Sequence, residues 1–256
     1  MSRAEDTGRQ YEPELTYFNR SRRQFLKLTG LALGSLFTPA PFRASSKAQA
    51  ATVTVRVDRA VAWALQDTRA GVVTNVPASG VTVLYDAFIE ESGAVPSYAF
   101  NEELAYTIAH SAALAGVRSA TILKSHGLAK AANSVIDSLI LGNTAGFVAI
   151  VPDDPQGRHS DTVFELEDFL KGTGLPFKKA SEDSIYSDLL ECFLWSEELG
   201  VPVALFLKED LMSRTSACER VILKKPTAMY RRDPLRHVLC PPLAPYQHKV
   251  MEARLA

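Results

Sequence analysis

This 256-residue sequence predicts an α/β domain, doubly wound, with a mostly parallel sheet and helices on both faces. Short continuous apolar runs, such as Val72-Val73-Thr74-Asn75-Val76 and Gly146-Phe147-Val148-Ala149-Ile150-Val151, read as strands buried on both sides; a half-solvated strand would alternate. Between them lie segments whose apolar residues recur at three- and four-residue spacing, the pattern of amphipathic helices. Strand and helix alternate along most of the chain, which is how a parallel sheet is built.

The elements follow in order. A helix is expected over residues 58–69, with Val61, Ala62 and Leu65 on one face and Gly71 as its stop. Residues 72–76 form a strand closed by Pro77, and 81–91 a helix with Val83, Leu84, Ala87 and Phe88 apolar. A short strand at 98–100 leads into a helix capped by Asn101, carrying Leu104, Ile108 and Ala112 on its apolar face. Then come a strand at 120–124, a helix at 128–141 and the clearest strand, 146–151. A polar loop at 152–161 precedes a helix at 162–171, a strand at 177–179, a helix at 183–198 and a strand at 201–207. Beyond Lys208 the periodicity fades into prolines (Pro226, Pro234, Pro241, Pro242, Pro245) and basic residues. Residues 51–208 are therefore expected as the α/β domain, and 209–256 as an extended C-terminal arm ending in a short helix.

Charge is unevenly placed. The chain has 28 Lys/Arg and 29 Asp/Glu; residues 1–50 hold eight and four of these, leaving 20 basic against 25 acidic groups. That acidic remainder argues against nucleic-acid binding. No run reaches the roughly 20 apolar residues of a membrane span, so no stable span is expected once the leader is cleaved. Three cysteines, Cys192, Cys218 and Cys240, are odd in number and lack metal-type spacing.

The basic excess lies in that leader. Ser21-Arg22-Arg23-Gln24-Phe25-Leu26-Lys27, a modest apolar run and Ala48-Gln49-Ala50 as a cleavage site resemble a twin-arginine export signal. The resemblance implies residues 1–50 as a signal peptide and a periplasmic or exported protein, carried across already folded.

Candidate chemistry gathers where loops follow strand ends, the side on which open α/β sheets bind ligands. Glu102 opens a helix directly after Asn101, at the positive end of the helix dipole. Three loops share that edge: Asn75-Val76-Pro77-Ala78-Ser79-Gly80, Lys124-Ser125-His126-Gly127-Leu128, and the stretch from Pro152 to Ser160. Gly127 is suited to a tight turn at a helix start. The sequence has no G-x-G-x-x-G, no Walker-type loop and no G-x-S-x-G elbow, and the five histidines show no metal spacing.

These residues together resemble the pyrimidine-binding domain of thiamine-diphosphate enzymes, most closely the N-terminal region of the indolepyruvate ferredoxin oxidoreductase alpha subunit. An Asn-Glu pair opening a helix matches Asn101-Glu102. Lys-His-Val-Gly-Leu-Asn matches Lys124-Ser125-His126-Gly127-Leu128-Ala129, and Asp-Asp-Pro-Gly-x-His-Ser matches Asp153-Asp154-Pro155 with His159-Ser160. The stretch from Arg232-Asp233-Pro234 to His248 resembles the family's segment before its next domain, so the likeness covers about residues 58–255. The family's Tyr-Pro-Gly-Thr-Pro-Ser loop stands here as Val76-Pro77-Ala78-Ser79-Gly80-Val81, and its His is Ser125, with a His one place later.

The resemblance implies a thiamine-diphosphate-binding fold in which Glu102, as the catalytic acid, hydrogen-bonds N1′ of the aminopyrimidine. Asn101, Pro77, Ser79 and Gly127 are then cofactor-binding positions. Ser125, His126 and His159 face a 2-oxo acid substrate. No Gly-Asp-Gly followed by Asn, the Mg²⁺-anchoring signature, occurs in the sequence. The diphosphate and Mg²⁺ are therefore expected on a separate subunit, with the cofactor shared at the interface of a hetero-oligomer. The expected activity is 2-oxo acid decarboxylation or oxidoreduction. A binding or regulatory module that keeps the fold without turnover is the alternative.

Overall fold

The computed structural model describes residues 52–255. The expected signal peptide and its cleavage site lie outside the described residues.

Five strands form one parallel sheet: β2 (Val72–Asn75), β3 (Ser119–Ile122), β4 (Phe147–Asp153), β5 (Phe177–Lys179) and β6 (Val203–Lys208), in the order β2-β3-β4-β6-β5. Every residue of β3 and β4 is buried, as a sheet covered on both faces requires. Alternation along β4 divides two cores. Val148 and Ile150 pack with α1 (Val57–Asp67), α2 (Val81–Ser92) and α7 (Ile185–Leu199). Phe147, Ala149 and Val151 pack with α3 (Glu102–Leu114), α4 (Ser125–Lys130), α5 (Ala132–Leu141) and α6 (Leu166–Thr173). The doubly wound parallel architecture is the one expected.

Several local expectations are corrected. Residues 98–100 are not a strand. They run extended, held to β2 where the Ala99 N–H donates to the Asn75 carbonyl (3.0 Å) and the Asn75 amide donates to the Ser97 carbonyl (3.1 Å). The helix expected over 128–141 is two helices, broken at Ala131, and the first begins at Ser125. Gly127 therefore lies inside α4 with no left-handed backbone, so its lack of a side chain serves packing rather than a turn. Helix α6 starts at Leu166, and Thr162 and Phe164 before it contact His126.

A second, two-stranded antiparallel sheet joins β1 (Val53–Arg56) to β7 (Thr215–Cys218). It follows a 3-10 helix (Glu209–Ser213). After β7 the arm runs without regular structure to α8 (Pro234–His237) and ends in α9 (Ala244–Leu255). The arm is tied down by arginines. Arg236 and Arg254 donate to the Leu141 and Ile140 carbonyls at the C-terminus of α5 (3.0 and 3.1 Å), where basic groups complement the helix dipole. Buried Arg118 pairs with Glu197 through two bonds (2.7 and 2.9 Å) and donates to the Thr68 and Lys224 carbonyls. Among the described residues no helix is long and apolar enough to cross a membrane.

Candidate functional site

The carboxyl ends of β2, β3, β4 and β6 form one rim, and residues from all four strand-end loops are joined there by hydrogen bonds and ion pairs. On one face of the sheet stands Glu102. The Asn101 side chain accepts from the Leu104 N–H (2.7 Å), capping α3 and fixing Glu102 at its first position. The Glu102 side chain is 17% exposed and pairs with Lys130 at the end of α4, Nζ to Oε2 2.9 Å. It lies flat against Gly127: a Cβ built there would sit 2.9 Å from Glu102 Cγ and 3.6 Å from Oε1. Two motifs far apart in sequence thus meet because α4 has no side chain at that point.

The other face carries a network around Glu209. Its Oε2 accepts from the Ser79 hydroxyl (3.1 Å) and meets His159 Nδ1 (3.1 Å). Lys124 Nζ lies 3.5 Å from Glu209 Oε1 and donates to the His159 carbonyl (2.8 Å). Asp154 accepts from the His159 N–H (2.7 Å), the Arg158 N–H (3.0 Å) and the Ser160 hydroxyl (2.9 Å). These bonds, the one from His159 foremost, lower its carboxyl to about 2. Burial pushes neighbouring Asp153 the opposite way, resisted by a hydrogen bond from Ser125.

Beside this network opens a cleft of about 330 Å³, lined among others by Arg56, Gly80, Asp154, Arg158, His159 and Glu209; Glu102 does not line it. Gly80 has φ +76° and sits so close to Pro152 (2.8 Å from its would-be Cβ) that no side chain fits. Asp154, His159 and Glu209 could approach one cation. Lys124 already brings positive charge to Glu209 and Asp154, and Asp154 is filled by three donors, so the group is read as a polar network rather than a metal centre.

The expected site residues divide accordingly. Glu102 and Gly127 touch, and the Asn101 side chain is occupied as the cap. Ser79 and His159 meet through Glu209, while Ser125 is buried beside Asp153. His126 bonds the Thr162 hydroxyl (2.8 Å) and stacks edge-on against Phe164, away from Glu209. Pro77 is exposed in its loop. Sequence reasoning missed Lys130 and Glu209, and gave Lys124 no role of its own within its loop. Lys130 was findable, one helical turn past Gly127; Glu209, in a 3-10 helix after β6, carried no signal.

The residues fit the ring end of thiamine diphosphate, with a half-buried carboxylate beside a bare glycine and an unpartnered buried atom, Asn75 Oδ1, on the same rim. The sequence carries no Gly-Asp-Gly followed by Asn.

No protein-family profile matches the chain. It is 27% identical over 180 residues to indolepyruvate oxidoreductase subunit IorA of Methanothermobacter thermautotrophicus, covering 68% of this chain and 28% of that one. The same subunit of Thermococcus kodakarensis is 32% identical over 105 residues (41% and 16% covered), and that of Pyrococcus abyssi 26% over 181 (68% and 28%). The chain thus spans less than a third of the length of these curated relatives. In fold it is similar to the 2-oxoglutarate:ferredoxin oxidoreductase of Magnetococcus marinus, solved with 2-oxoglutarate, coenzyme A and succinyl-CoA bound, with TM-score 0.60, 15% identity, and coverage of 91% of this chain and 49% of that one. By sequence, then, the chain is similar to part of the indolepyruvate oxidoreductase IorA subunits, and by fold it is similar to a 2-oxoglutarate:ferredoxin oxidoreductase.

Proposed function

We propose that this chain is the pyrimidine-binding subunit of a thiamine-diphosphate-dependent enzyme acting on a 2-oxo acid, as a decarboxylase or an oxidoreductase. The observation that carries this reading is the Glu102 carboxylate, fixed by the α3 cap and laid against Gly127 at the rim of the sheet. The similarity to indolepyruvate oxidoreductase subunits supports it. Glu102 hydrogen-bonds the ring nitrogen and holds or releases a proton there. When bound, the cofactor supplies the electron sink for breaking the bond beside the 2-oxo carbonyl. His159, in the polar network around Glu209, is read as orienting a substrate carboxylate. The diphosphate and Mg²⁺ are held by a separate chain, so the cofactor lies at an interface between subunits. The leader is read as directing export through the twin-arginine route.

A second reading, a binding module without turnover, is favoured by the engagement of Ser79 and His159 with Glu209. Glu102→Gln separates the two. In the complex that co-purifies with the chain, catalysis by Glu102 predicts turnover reduced about 10²–10⁴-fold with folding intact, the range for losing a proton-transfer group. Turnover within twofold of wild type contradicts a catalytic Glu102.

A further inference from the structure

We infer that Lys130 is a positioning residue for Glu102: its ammonium holds the carboxylate in an ion pair before the cofactor arrives, and must swing aside when the ring docks. This rests on the reading that Glu102 receives the aminopyrimidine. Three observations carry it. Lys130 Nζ lies 2.9 Å from Glu102 Oε2, so the cation occupies one of the two oxygens through which Glu102 would meet the ring nitrogen. The partners differ in freedom: Glu102 is 17% exposed and pinned between its helix cap and Gly127, whereas Lys130 is 69% exposed. A lysine on a four-carbon stem can leave such a pair and be solvated at once, while the carboxylate stays in place. Finally, among the described residues no other cation pairs with Glu102. Its neighbour Glu103 accepts a hydrogen bond from Ser134 of α5.

Lys130 thereby keeps Glu102 in one orientation until a ligand competes for it. Exposed pairs of this kind shift an equilibrium by up to about fivefold. That cost falls on cofactor binding and disappears when salt screens the pair.

The test is calorimetric titration of the co-purified complex with thiamine diphosphate and Mg²⁺, at low and at high salt. Lys130→Met is expected to bind about two- to fivefold more tightly than wild type at low salt. The ratio should fall to one at high salt, and Lys130→Arg should retain wild-type affinity. In a Glu102→Gln background, Lys130→Met should have no effect. Equal or weaker binding by Lys130→Met at low salt, or a ratio unmoved by salt, overturns the inference while leaving the cofactor assignment standing. If neither wild type nor any variant takes up the cofactor, the assignment fails and this inference with it.

Discussion

Gly127→Ala places a methyl group where the structure has only the Glu102 side chain. The new carbon would lie 2.9 Å from Glu102 Cγ, against an optimal carbon–carbon separation of about 3.5–4.0 Å. Glu102 must therefore retreat by roughly 0.6–1 Å, the difference between these distances. The backbone at Gly127 is ordinary helix, so alanine is not strained and gains roughly 0.5–1 kcal/mol of helix preference. Because Glu102 is half-buried rather than walled in, its displacement offsets part of that gain, and the net stability change should stay within about 1 kcal/mol. Function responds differently. A misplacement of about 1 Å in a positioned group costs on the order of 10²-fold in rate. The assay pairs a denaturant titration of the full chain with turnover of the co-purified complex. Unchanged stability with turnover lost is the expected result; turnover within twofold of wild type would refute the claim that Gly127 sets the position of Glu102.

Other outcomes follow from the same geometry. Asp154→Asn should destabilise the chain at neutral pH, because the hydrogen bonds to the carboxylate lower it from 3.8 to about 2. Its contribution is fully present above 3.8 and is lost as pH falls through about 2. The gap in denaturation midpoint between wild type and variant should therefore narrow below about pH 4 and close near pH 2; a gap constant down to pH 2 would contradict the assignment. Arg118→Met removes the buried guanidinium joining α7, the end of α1 and the arm at Lys224, and leaves Glu197 uncompensated. A loss of about 3–5 kcal/mol is expected from equilibrium unfolding, and a loss under 1 kcal/mol would show that the arm is held by other contacts.

The sheet was legible because burial on both faces leaves a direct mark: β4 needs apolar residues at every position, and Phe147 to Val151 supply them. Period and cap likewise announced α3, since Asn101 does bond the Leu104 N–H. The Tyr98-Ala99-Phe100 segment misled because aromatic residues suit strands, yet here Phe100 is 85% exposed and unpaired. The pairing of β1 with β7 could not be read, as it joins segments some 160 residues apart through short strands exposed on one side. At the site, local chemistry placed Glu102 and Gly127 on one rim. Their contact, and the convergence of Ser79, His159 and Lys124 on Glu209, depend on how strand-end loops fold across one another. Periodicity carries no information about that. The break at Ala131 was invisible for a similar reason, having neither proline nor glycine to mark it.

A single distance probes the account most closely: that from the Glu102 carboxylate to the ring nitrogen of thiamine diphosphate, in a structure of the co-purified complex with the cofactor and Mg²⁺ bound. The account predicts a hydrogen bond of about 2.6–3.0 Å across a boundary between two different chains, with Lys130 turned away. Cofactor held wholly by another chain, with Glu102 still paired to Lys130 and no ring beside it, would contradict the account.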